Sequence, residues 1–194
     1  STQSIAALGA LLLVQHPDDL LAFAVIAFFA LGIVLYVIVM TMVFLRWTFL
    51  QLDPTEASPP AWIAAGAVAI SVLAGSNVLL AADVSERIER LTPFVEGTTV
   101  LAWATATFWF PLMIAIGCWR HLVRRLPLRY HPGYWAMVFP LGMYGVATHR
   151  MLAVIDLDGF DWLPKLMLAV AVLAWAVTFT GLAKTLLRFN KAGG

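Results

Sequence analysis

Histidine and cysteine are the side chains of this sequence best suited to metal binding or nucleophilic chemistry. The four histidines, His16, His121, His131 and His149, lie at the ends of apolar segments or between them. Two axial haem ligands must face each other at similar depth, and only His16 with His149, or His121 with His131, could do so. Cys118 is the single cysteine, so it forms neither an internal disulfide nor a cysteine-based metal site. A haem-bearing subunit stays open as an alternative. That alternative aside, the lack of a nucleophile–base pair or phosphate loop predicts no enzyme and no cofactor.

The interiors of the long apolar segments offer only neutral polar groups. Their central turns contain no Asp, Glu, Lys or Arg, whereas ion-coupled transporters usually carry an ionisable group at mid-depth. We expect the polar side chains to bond between helices or to the preceding turn, with a weakly polar lumen as the second interpretation. They are Gln3, Ser4, Ser71, Ser76, Asn77, Thr105, Thr107 and Thr148.

Two prolines, Pro111 and Pro140, interrupt apolar segments and predict helix kinks. Inside a membrane such breaks are tolerated where a neighbour or a water-lined cavity satisfies the freed backbone groups. Pro140 follows Phe139, so a kink there could aim the phenyl ring toward the axis of a bundle. Phe139 would then either pack between helices or close a narrow conduit as a gate, with dewetting aiding closure.

Composition predicts that the apolar segments cross a membrane. The 194 residues are 62% hydrophobic, with a mean hydropathy of +0.89, and a soluble domain of this size could not bury so much apolar surface. The net charge of +1 argues against nucleic acid as a partner. We predict an all-α multi-pass membrane protein with one transmembrane domain, residues 1–194. Its helical hairpins lie at about 1–45, 60–119 and 134–187, and the first helix is truncated because its apolar run is too short to span.

An internal repeat relates the last two hairpins. Trp62 and Trp135 each follow a proline that opens an apolar run, and they are 73 residues apart. The run VLAWA at 100–104 recurs at 172–176 with an offset of 72. A whole hairpin is therefore duplicated, and such copies can surround a pore. The alignment places Gly66 where the later copy has Phe139.

Small residues are concentrated in the first helix of each duplicated hairpin, which favours close packing or the lining of a narrow passage. The second helices of all three hairpins are richer in Phe, Leu, Val and Trp and suit a lipid-facing outer layer, and the first segment of the chain belongs with the inner helices. This difference in composition predicts an inner ring of helices and an outer ring of helices. The residues predicted to line the pore are Gly66, Ile70, Ala74, Asn77, Gly142, Met143 and Val146.

Lysine and arginine predict the orientation. If the first segment runs outward, eight basic residues lie on the cytoplasmic side and four on the other, which predicts a cytoplasmic carboxy terminus in the cell membrane. The eight are Arg46, Arg120, Arg124, Arg125, Arg129, Lys184, Arg188 and Lys191.

Several of these runs resemble a known family. Residues 134–142 (YWAMVFPLG), continuing to Ala147 and Thr148, resemble the penultimate helix of the tellurite-resistance/dicarboxylate transporter family, which includes plant slow-type anion channels. Residues 59–70 (PPAWIAAGAVAI) are similar to its seventh helix, and residues 2–4 (TQS) to part of its fifth.

The resemblance implies ten helices in five hairpins around a central pore, commonly as a homotrimer. This chain would supply the last three hairpins, and the preceding part of the same protein or another chain would complete the ring. Phe139 matches the gating phenylalanine of the family. The implied function is a channel or permease for small anions or C4-dicarboxylates in contact with membrane lipid. The incomplete ring keeps a non-transporting structural subunit as an alternative.

Overall fold

A computed structural model of the chain describes residues 1–49, 59–127 and 130–192. In these ranges all regular structure is helical, as the sequence predicts. The α-helices are α1 (Thr2–Gln15), α2 (Asp19–Phe49), α3 (Ile63–Leu80), α4 (Glu86–Glu89), α5 (Thr92–Cys118), α6 (Trp135–Val154) and α7 (Trp162–Ala192). A π-helical turn, Trp119–Val123, continues α5.

Four helical segments in the described ranges are long and apolar enough to cross a membrane: Asp19–Phe49, Ile63–Val84, Thr92–Val123 and Trp162–Leu187. The helix α1 is shorter, as expected. The helix α6 does not meet this criterion, although its 20 residues would measure about 30 Å. Its last turns contain His149 and Arg150, which lower its mean hydropathy.

The helices pair as antiparallel hairpins, α1 with α2, α3 with α5, and α6 with α7. The helix α3 lies at the centre and packs against α1, α5 and α6. Of its most apolar stretch 67% is buried, against 17% for α2, 22% for α5 and 17% for α7. The helices α1, α3 and α6 therefore form an inner row, with α2, α5 and α7 outside it.

The duplication is visible in local structure. A short 3₁₀ turn that begins with proline precedes both inner helices, Pro59–Trp62 before α3 and Pro132–Tyr134 before α6. Proline suits these positions because its fixed φ pre-organises a helical turn and its missing N–H needs no partner there. The two hairpins differ in their connections. The short helix α4 leads into α5, which begins at Thr92.

Hydrogen bonds between helices use the neutral polar groups, as predicted. Gln3 Nε2 donates to the Phe29 carbonyl at 3.2 Å and Asn77 Nδ2 to the Ala7 carbonyl at 3.3 Å. Trp103 Nε1 donates to the Thr148 hydroxyl at 3.1 Å. Such bonds link transmembrane helices because lipid offers no competing partner. The hydroxyls of Ser71, Ser76, Thr99 and Thr105 instead donate to the preceding turn.

The helix α3 approaches α5 closely at Gly75. A Cβ atom there would collide with the Thr99 hydroxyl and lie 3.2 Å from the ring of Phe29. Thr99 and Phe29 are both fully buried. A glycine at this position therefore permits α3 and α5 to meet directly.

We expect Gly75→Ala to lower stability by about 1–3 kcal/mol, because the added methyl group must displace Thr99. The matched control is Gly97→Ala on α5, where nothing lies within 4 Å of the added atom. There alanine should leave stability unchanged or raise it by up to about 1 kcal/mol through helix propensity. Thermal unfolding in detergent measures both, and equal midpoints for the two variants would contradict this packing role.

Candidate pore-lining site

A cavity of about 430 Å³ lies between α1, α2 and α3 and is closed on one side by Phe139 of α6. It sits beside the inner row, where the sequence predicts a passage. Its wall from α3 includes the predicted Ile70 together with Ile63, Ala67 and Ser71. The described residues that line it include no Asp, Glu, Lys, Arg or His. The described side chains that line the cavity therefore carry no charge.

Phe139 packs against the predicted Gly66. A Cβ atom built on Gly66 would lie 3.3 Å from both Cδ1 and Cε1 of the phenyl ring and 3.1 Å from Cγ of Pro140. Pro140 is buried, whereas Phe139 is 52% exposed. The absence of a side chain at Gly66 thus makes room for the ring at the level that the repeat alignment indicates. The helices α3 and α6 meet at this point.

Polar side chains at the cavity come from α1, α2 and α3, among them Gln3, Tyr36 and Ser71. Gln3 is 4% exposed, and its Oε1 atom accepts no hydrogen bond from any described residue. The side chain passes over Gly32 of α2, where an added Cβ atom would lie 2.5 Å from Nε2. The hydroxyl of Tyr36 accepts a hydrogen bond from Trp109 Nε1 at 2.7 Å. These groups make the lining weakly polar without adding charge.

The remaining predicted pore residues occupy other environments. Ala74 is fully buried in the core that α1, α2 and α3 share, and Asn77 is 3% exposed with its amide bound to α1. Gly142 faces α7, since an added Cβ atom would lie 4.0 Å from that of Ala171. The structure therefore does not bring these three residues to the cavity beside Phe139.

Met143 and Val146 follow Phe139 by four and seven residues, so they lie on the same side of α6. Met143 is partly buried and packs against the hydrophobic core. Val146 is 56% exposed. Neither lines the cavity, and Val146 continues the face of α6 that Phe139 begins.

Sequence reasoning missed the contribution of α2. Gly32, Tyr36 and Met40 border the cavity, although the helix was expected to face lipid alone. The uniform apolar character of α2 hides its inner side, and the signal available was one glycine four residues before one tyrosine.

Both predicted prolines, Pro111 and Pro140, lie inside helices, α5 and α6 respectively.

The histidines lie at helix ends and connections, as predicted. His121 Nδ1 is 2.9 Å from the Leu126 carbonyl oxygen, and His131 Nδ1 accepts a hydrogen bond from the Gly133 amide at 3.0 Å. Among the described residues, no group of three or more His, Cys, Asp or Glu side chains is placed to hold a metal ion.

Relatives of the chain are found in bacteria and archaea. An uncharacterized membrane protein of Mycobacterium tuberculosis is 37% identical over 148 residues, which are 76% of this chain and 75% of that protein. Two uncharacterized transporters of Methanocaldococcus jannaschii are 26% and 24% identical over 147 residues, 76% of this chain but 41% of each transporter. No solved structure matches the chain.

The family itself is recognised over almost the whole chain. The sequence model described as voltage-dependent anion channel matches residues 1–183. This match confirms the resemblance that the motifs around Trp62 and Phe139 indicate. The chain is a member of the voltage-dependent anion channel family.

Proposed function

We propose that the chain forms part of a passive pathway through which small anions or C4-dicarboxylates cross the membrane. The observation that carries this proposal is an uncharged cavity beside Phe139, next to the central helix of a chain that belongs to an anion channel family. The neutral lining supplies no fixed cation to trap an anion and no carboxylate to bind a coupling ion. Movement would follow the membrane potential, worth about 2.3 kcal/mol per charge per 100 mV.

Phe139 is the proposed gate. Its ring rests on Gly66, is half exposed and borders the cavity, so a rotation of the side chain would alter the width of the passage. An apolar constriction of this kind also dewets, and a dry segment excludes a hydrated anion. Removal of the ring would leave small residues on α3 facing α6. The passage would then hold water and conduct.

The described hairpins form only part of the ring that the proposal requires. The chain spans 41% of the length of the archaeal transporters that it matches. We propose that further hairpins, from the same protein or from another chain, enclose the passage on its open side. The same proposal places the protein in the cell membrane as a homotrimer. Its carboxy terminus then lies in the cytoplasm.

We expect Phe139→Ala to raise anion flux severalfold, because it removes the constriction without adding charge. The matched control is Phe108→Ala on the outer helix α5, where the phenyl ring is exposed to a similar extent, 55% against 52%. Proteoliposomes containing the protein expressed from its complete reading frame, with nitrate, chloride and malate as test anions, provide the measurement.

Two outcomes of this experiment would count against the proposal. Equal flux in the two variants would remove Phe139 from the gate. Absence of flux in every variant, together with a stoichiometric partner on purification, would favour a structural subunit instead.

A second prediction tests the contact between Gly66 and Phe139. Gly66→Val should displace the phenyl ring of Phe139 and raise flux, because the valine methyl groups occupy the space against which the ring packs. The same substitution should have little effect in a protein that already carries Phe139→Ala. A double-mutant cycle of flux rates measures this coupling. Additive effects of the two substitutions on flux would show that the ring does not act through its contact with Gly66.

A further inference from the structure

A second cavity, of about 740 Å³, lies on the opposite side of α6, between the two duplicated hairpins. We call it the lateral cleft. Residues from α6 form its floor, and α5 and α7 form its walls. The volume falls within the range of roughly 300–1,000 Å³ that is typical of small-molecule sites. The residues used below are Phe110 and Ile114 of α5, Leu141 of α6, and Met167, Val177 and Lys184 of α7.

The lateral cleft exists because the outer helices α5 and α7 pack on different inner helices, α3 and α6 respectively. The helix α7 lies close to α6 at two glycines, where a Cβ atom would meet Ala171 at 4.0 Å (Gly142) and Met167 at 3.4 Å (Gly145). The helix α5 packs mainly on α3. A gap therefore opens between α5 and α7. Since both are outer helices with mostly exposed apolar surfaces, the gap faces the lipid bilayer.

The lining of the lateral cleft changes character along its length. From Met167 toward Val177 it is apolar, with Leu141 and Ile114 opposite. At the other end lie two tyrosines and Lys184. The span from Met167 to Lys184 is about 26 Å along α7, most of the roughly 30 Å hydrocarbon core. A fatty acyl chain from one leaflet reaches about half of that core, so it would occupy the part of the lateral cleft nearest Lys184.

The polar end is held in place by local packing. Tyr130 packs directly on Gly181, where an added Cβ atom would lie 2.7 Å from its Cδ2 atom. The hydroxyl of Tyr130 accepts a hydrogen bond from Trp135 Nε1 at 3.3 Å. Tyrosine and tryptophan at this level are typical of the membrane interface. The end of the lateral cleft therefore lies where lipid headgroups begin.

Charge at this end has one sign among the described residues. Lys184 lies at the mouth, and the π-helical end of α5 adds Arg120, Arg124 and Arg125 on the same side of the bundle. The described Asp and Glu residues lie at the opposite end, at and before the starts of α2 and α5 and after α6. Basic pockets between membrane helices favour anionic headgroups.

We propose that the lateral cleft binds an anionic phospholipid, with one acyl chain between α5 and α7 and the phosphate at Lys184. The apolar depth excludes a small hydrophilic solute, and the ammonium group distinguishes an anionic lipid from a zwitterionic one. The site lies across α6 from the cavity beside Phe139. Lipid binding therefore does not depend on the proposed anion pathway.

The test is a native mass spectrometry titration of the purified protein with phosphatidylglycerol and, in parallel, with phosphatidylcholine. Wild-type protein should bind phosphatidylglycerol more tightly. Lys184→Gln should weaken phosphatidylglycerol binding about fivefold, with little change for phosphatidylcholine. Val177→Trp should weaken binding of both severalfold, because the indole obstructs the lateral cleft. The matched control is Val172→Trp, on the same helix and similarly exposed but outside the lining.

Three results would overturn the proposal. Equal binding of both lipids by wild-type protein would remove the role of charge. Unchanged binding in Val177→Trp would place the lipid elsewhere. Protein dimers or trimers that Val177→Trp disrupts, without bound lipid in the wild type, would show that a second copy of the chain fills the lateral cleft.

Discussion

The close approach of neighbouring helices to α3 is the constraint on which the rest of the structure depends. Two glycines on this helix permit it: Gly75 accepts Thr99 of α5, and Gly66 accepts the ring of Phe139 from α6. Hydrophobic burial gives little net attraction between helices in a bilayer, so direct packing and a few hydrogen bonds must hold them together. The same small residues that allow this packing also leave space beside α3. The packing and the proposed passage thus have one origin.

A neutral interior is the second consequence. The polar groups within the bundle are amides, hydroxyls and indole N–H groups, and most of their bonds run to a neighbouring helix or to the preceding turn. Among the described residues these bonds need no buried ion, which avoids the large cost of burying charge in lipid, although Gln3 Oε1 and Asn77 Oδ1 accept no hydrogen bond there. An anion that enters such a space would meet weak dipoles rather than a binding site. The proposed passive movement, with Phe139 as the proposed gate, suits this environment better than coupled transport would.

Much of this architecture could be predicted from the sequence because the repeat carries three-dimensional information. The offset between Trp62 and Trp135 paired Gly66 with Phe139, and the structure places the two in contact. Spacing along one helix predicted the residues that line the cavity less well. Ala74 and Asn77 follow Ile70 on α3, yet they turn into the core because α1 packs on that part of the helix.

The contribution of α2 could not be read from its sequence for a different reason. Nearly every residue of α2 is apolar, so no periodicity separates an inner side from a lipid-facing one. Only tertiary contacts, such as the hydrogen bond from Trp109 to Tyr36, define which side faces the cavity. A uniformly apolar helix thus shows that it lies in a membrane, but its rotation depends on its neighbours.

Water access to the cavity beside Phe139 is the most direct test of the central claim. Cys118 is the single native cysteine, so Ile70→Cys in a Cys118→Ala background carries one thiol at the cavity wall. A negatively charged, membrane-impermeant methanethiosulfonate reagent should modify it, faster when Phe139→Ala is also present, because the reagent needs a hydrated thiolate. Leu101→Cys, on the 66% exposed outer face of α5, should stay unmodified in the bilayer. Failure to modify Ile70→Cys in either background would contradict a hydrated anion pathway at this site.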